Sequence, residues 1–83
     1  MEFEDLPEKL LGLINIMATA ALAVAPEERE AWLRRNRQSC YEEAIANKFD
    51  ISKANDWADQ MDSCVRSMID LIRNSGGAAG GTA

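Results

Sequence analysis

An 83-residue chain with 14 acids against 9 bases has room for one small domain, and its net charge of −5 argues against binding nucleic acid or an anionic membrane. It has no histidine and only two cysteines, which removes the commonest general base and the usual four-ligand zinc set. With 47% hydrophobic residues it is composed like a folded domain rather than a disordered chain, although a core this small often gains from association.

The stretch from Leu10 to Ala25, LLGLINIMATAALAVA, carries no charge. Before it, Asp5-Leu6-Pro7-Glu8 has the form of a helix start, with Asp5 as cap, Pro7 in the first turn and Glu8 three residues after the cap. The pattern predicts a first helix over about 6–24, closed by Pro26 because the residue before a proline is disfavoured in the helical region. On a wheel of ~100° per residue, Leu6, Leu10, Leu13, Met17, Ala20 and Val24 form one apolar stripe. Leu11, Ile14, Ala18, Leu22 and Ala25 form a second, and Glu8, Gly12, Asn15 and Thr19 form a narrow polar seam. Two stripes are more than one neighbouring layer requires. Either the first helix is central and covered by the two others of the same chain, or one stripe packs inside and the second forms an interface with a homodimer mate or another protein; the interface is the reading taken forward.

A membrane or export role for this stretch is disfavoured. The leader MEFEDLPEK is acidic where a signal peptide is basic, and Pro26 directly follows the small-residue site Ala23-Val24-Ala25. The run is also shorter than the ~18–20 residues that span a bilayer.

Pro26-Glu27-Glu28 opens a second helix, expected over about 27–48, with proline at its start and acids near the positive end of its dipole. Its apolar side is thin: Trp32, Leu33, Cys40, Tyr41, Ala44, Ile45 and Phe49. Glu30 and Arg34 are spaced as an i,i+4 ion pair, and Arg34, Arg35 and Arg37 form the one basic cluster of the chain.

A turn at 49–52 leads into a third helix, expected over about 52–73, with Asp50 or Ser52 as cap. This is the cleanest amphipathic pattern in the chain. Ala54, Trp57, Ala58, Met61, Cys64, Val65, Met68, Ile69, Leu71 and Ile72 share an arc of about 160°. Asp62 and Arg66 are spaced as another i,i+4 pair, and Asn74 and Gly76 are stop signals. SGGAAGGTA, 75–83, reads as a disordered Gly/Ala-rich tail after a domain of 1–74.

The expected fold is all-α: a three-helix bundle in which a central hydrophobic first helix packs on an antiparallel hairpin of the other two. The hairpin brings Cys40 near Cys64 as a contact between reduced thiols in a cytoplasmic protein, without the CxxC spacing of a redox motif.

Ile45-Ala46-Asn47-Lys48-Phe49-Asp50-Ile51-Ser52 is similar to the turn of a helix-turn-helix DNA binder. Against that reading, Asp50 holds the usual glycine position, and the would-be recognition helix carries Asp56, Asp59 and Asp62, which repel phosphate. No P-loop, GxSxG, GxGxxG or Ca²⁺-loop pattern is present. The sequence therefore predicts a non-enzymatic, homodimeric, protein-binding module with no cofactor or metal. By analogy with compact acidic inhibitors encoded by phages and mobile elements, it acts as a regulator or inhibitor of a larger protein. The expected apolar interface is Leu11, Ile14, Ala18 and Leu22, rimmed by Trp32, Arg34, Arg35 and Arg37. The alternatives are the DNA-binding regulator and a membrane-surface binder using the first helix.

Overall fold

The computed structural model describes residues 6–82 of the chain, with side chains over 6–74. Three helices, α1 (Glu8–Ala23), α2 (Pro26–Ala46) and α3 (Ile51–Thr82), pack against one another, and no strand occurs among the described residues.

Helix α1 begins two residues later than its pattern suggests. Pro7, with φ −59° and ψ 147°, sits at the cap position, and its carbonyl accepts the first helical bond from Leu11 N at 2.9 Å. The expected cap, Asp5, lies outside the described residues. Helix α1 ends at Ala23 because Val24 is extended and Ala25 takes φ −58° and ψ 140°, the conformation a following proline favours. Arg29, one turn into α2, reaches back across this corner. Its Nε donates to Ala21 O at 2.9 Å, which also accepts from Val24 N at 3.4 Å, and its Nη2 donates to Val24 O at 3.3 Å, so the guanidinium caps the carbonyl end of α1.

Helix α2 stops two residues short of the expected 48. Lys48 takes φ 73°, Lys48 N bonds Ile45 O at 3.0 Å, and Phe49 N bonds Ala44 O at 3.0 Å. That pair of bonds is a Schellman stop, whose left-handed position normally holds glycine. Sequence reasoning placed the glycine-demanding position at Asp50. The structure moves it to Lys48 and makes Asp50 the cap of α3, its Oδ1 accepting from Lys53 N at 2.8 Å. Lys48→Gly is expected to stabilise the fold by about 0.5–1 kcal/mol by relieving the left-handed side chain. An unchanged or lowered urea midpoint would count against that account.

Helix α3, not α1, is the element on which both others pack, and the α1–α2 pairing is the weakest of the three. The reason lies in the side chains. Ala54, Ala58, Met61, Cys64, Val65, Met68 and Ile69 keep a buried face on α3 over four turns. By contrast, α1 inserts only Ile14, Ala18 and Ala21, and α2 only Leu33, Cys40 and Ala44. Helix α3 continues through Thr82, past the expected stop at Asn74 and Gly76. An interior glycine costs a helix only about 1 kcal/mol relative to alanine, so these glycines weaken a helix without forbidding one. The side chains of 75–83, on which the flexible-tail expectation falls, lie outside those described.

The hairpin is also tied by charge. Arg66 donates from Nη1 to Glu30 Oε1 at 3.0 Å and from Nη2 to Glu30 Oε2 at 2.6 Å, while its Nε holds Asp62 Oδ2 at 2.9 Å. The Asp62–Arg66 pair is the i,i+4 pair the spacing predicts. Glu30, expected to bond Arg34, bonds Arg66 across the hairpin instead, and Arg34 adds only a longer-range attraction. The Arg66 hydrogen bonds hold the Glu30 carboxyl below its usual range. A carboxylate depressed on folding stabilises the fold above its unfolded pKa, and that contribution fades as pH falls through the folded value. Urea midpoints of wild type and Glu30→Gln should therefore differ at neutral pH and converge in acid. A gap that persists below the carboxylate range would reject this origin.

A candidate docking cleft

Because α1 and α2 both lean on α3 and touch each other least, a gap opens between them towards the α2–α3 turn. It forms a cleft of about 390 Å³ lined by Leu13 and Met17 of α1, Cys40, Glu43, Ala44 and Asn47 of α2, Phe49 of the turn, and Trp57 and Met61 of α3. Asn36 Nδ2 lies 3.4 Å from Met17 Sδ and ties α1 to α2 beside Met17, one of the lining residues. The Schellman stop positions Phe49, because the same bond that ends α2 fixes the backbone nitrogen of Phe49 on Ala44 O.

The floor is core and the lip is wet. Met61, Ala44 and Cys40 are buried, whereas Leu13 and Phe49 are 41% and 43% exposed. Glu43 is the one charged side chain in the lining, and Asn47 adds an amide. Burial pushes the Cys40 thiol above its ordinary pKa; the Glu43 and Asp62 carboxylates push the same way, against a smaller opposing effect of Arg37. Cys40 is thus a protonated, weakly nucleophilic thiol at neutral pH. Cys64 shares the same buried cluster, and the two are not joined in a disulfide. Among the described residues, no group of three His, Cys, Asp or Glu side chains is placed to hold a metal ion. Likewise, no helix among them is long and apolar enough to cross a membrane. What the cleft offers is apolar contact, one carboxylate and one amide.

The predicted interface residues do not gather here. Ile14 and Ala18 are fully buried inside the chain, and Leu11 and Leu22 are half-buried against the same core. The second stripe of α1 is therefore an internal face, and the exposed apolar surface of α1 is Leu13 and Ile16 instead. Of the rim residues, Trp32 is half-buried against the core and lines a shallow hollow of about 340 Å³ with Arg35, Asn36 and Ser39. Arg34 is exposed. Arg37 points across to α3, where its Nε and Nη2 hold Asp59 Oδ1 at 2.8 and 2.7 Å. The basic cluster is therefore divided, and two of the four aspartates of α3, Asp59 and Asp62, are neutralised by partners within the chain.

Sequence reasoning did not single out Leu13, Glu43, Phe49 and Trp57 as a set. One signal was available. An antiparallel hairpin turning near 50 places an aromatic turn residue, Phe49, at the same end as Trp57, and two aromatics at one hairpin end are more than a turn needs.

No protein-family model matches the chain, and no curated protein or solved structure matches it significantly.

Proposed function

We propose that the chain is a non-catalytic protein-binding module that regulates or inhibits a larger protein by seating an apolar anchor of that partner in the cleft between α1 and the hairpin. The cleft itself carries the reading: a pocket of about 390 Å³ with a buried floor and half-exposed Leu13 and Phe49 at its lip. Partner anchors are large side chains that fill desolvated pockets, while the surrounding rim keeps water out. A basic residue beside the anchor would meet Glu43, and the net charge of −5 would favour its approach. The reading extends to a cytoplasmic setting, where both thiols remain reduced.

Affinity capture from the native cell tests it, using wild type, Phe49→Glu and Glu43→Lys side by side. Both positions are exposed, so each variant should keep the wild-type circular dichroism. Wild type is expected to retain a specific protein that both variants lose. Recovering no specific protein, or recovering the same one equally with all three, would remove the proposal.

A further inference from the structure

Sulfur reaches the cleft from all three helices. Met17 of α1, Cys40 of α2 and Met61 of α3 line the same space, although the whole chain has only two cysteines and four methionines. The register of the bundle brings them to one level. Arg29 on Ala21 and Asn36 on Met17 set α1 antiparallel to α2. Arg37 on Asp59 and Arg66 on Glu30 set α3 antiparallel to α2 as well. Met17 and Met61 therefore stand level with Asn36 and Arg37, one turn from Cys40. Side chains on a helix lean towards its own N-terminus. In this register the two methionines lean towards Cys40, and the thiol leans back towards them. Asn36 Nδ2 lies 3.4 Å from Met17 Sδ and fixes that sulfur, leaving it a second lone pair.

We propose that Met17, Cys40 and Met61 form a three-sulfur site for one Cu(I) ion. Thiolate and thioether are soft donors, and that softness selects Cu(I) over the harder divalent ions. Charge selects it too. On binding, the Cys40 thiol gives its proton to solvent as the Cu–S bond forms, the copper stays Cu(I), and each thioether donates a lone pair. One positive ion and one thiolate cancel, so the finished site is neutral where Cys40 and Met61 are buried. A divalent ion on the same three ligands would leave a net positive charge out of water, which is costly. The lack of histidine excludes the usual zinc set and does not touch this one. Half-exposed Leu13 and Phe49 at the lip leave the ion a way in from solvent. The site needs no partner protein and the docking reading needs no metal, so either can fail alone.

Anaerobic titration of the full chain with Cu(I), kept reduced by ascorbate and competed against the chelator bicinchoninate, decides. Wild type is expected to take one equivalent from the chelator. Met17→Leu and Met61→Leu should each weaken that binding by about tenfold or more. Leucine replaces methionine at nearly equal volume, so both variants keep the fold and lose only the sulfur. Cys40→Ala should abolish the binding, and Cys64→Ala should leave it as in wild type. A wild type that takes no copper overturns the site. Methionine variants that bind as tightly as wild type reduce it to a bare thiol adduct and overturn it equally. Loss of binding in Cys64→Ala but not in Cys40→Ala puts the ion on the other thiol, with the same consequence. Should either cysteine variant fail to fold by circular dichroism, the affinities of the two methionine variants decide alone.

Discussion

Ile14→Asp is expected to leave the chain unfolded in water without denaturant. Ile14 has no exposed surface and sits in the cluster with Ala18, Ala21, Val65, Met68 and Ile69. The substitution removes the transfer energy of a buried isoleucine, about 2–3 kcal/mol. It then confines a carboxylate where no described side chain offers a buried cation, adding roughly 3 kcal/mol or more even if the group takes up a proton. A domain this small has a total stability on the order of 5 kcal/mol, so the combined loss consumes it. Far-UV circular dichroism reads the result directly. Ile16→Asp is the matched control: the same substitution, two residues on, lands on the opposite side of α1, where the side chain is mostly in water. Helix content should collapse in the first variant and persist in the second. A folded Ile14→Asp would return the second stripe of α1 to the surface and undo the packing described above.

The contrast between Ile14 and Ile16 also marks how far the sequence reached. Three helices and a hairpin turn were legible, because Pro26, the turn signals at 49–52 and the long amphipathic arc of α3 are local, although the turn itself falls at 47–50. The inward side of α1 was not. Periodicity gives the angle between stripes on one helix and says nothing of which stripe faces the neighbour when both are apolar. The deciding fact is tertiary: Ile14, Ala18 and Ala21 are buried in the folded chain, whereas Leu13 and Ile16 are exposed. Charge pairing failed in the same way. Glu30 had an acceptable partner four residues on, yet folding brought Arg66 to it in a two-bond grip that Arg34 does not make. The cleft was the least legible feature, since it exists only because α1 and α2 separate over α3. Its lining comes from four segments, and each residue, taken alone, reads as ordinary core or turn.

Met61→Ala tests that cleft from below. Met61 is 2% exposed, belongs to the central cluster and also floors the cleft, so its side chain divides the two. Truncation should cost about 2–4 kcal/mol, seen as a lower urea midpoint with little change in slope. Met68→Ala should cost a similar amount, because Met68 lies in the same cluster without touching the cleft. The two variants part at Cys40. That thiol sits beside Met61 in the cleft lining and is protected by burial. Removing Met61 deepens the cleft to the thiol, whereas removing Met68 exposes it only through global opening. Labelling of Cys40 by an aromatic disulfide, read by mass spectrometry of its peptide, should therefore run about tenfold faster in Met61→Ala than in Met68→Ala. Equal rates would mean that the reagent reaches Cys40 only when the whole bundle unfolds. The cleft would then be too shallow to seat a partner's side chain on Met61, and the docking reading would lose the pocket on which it depends.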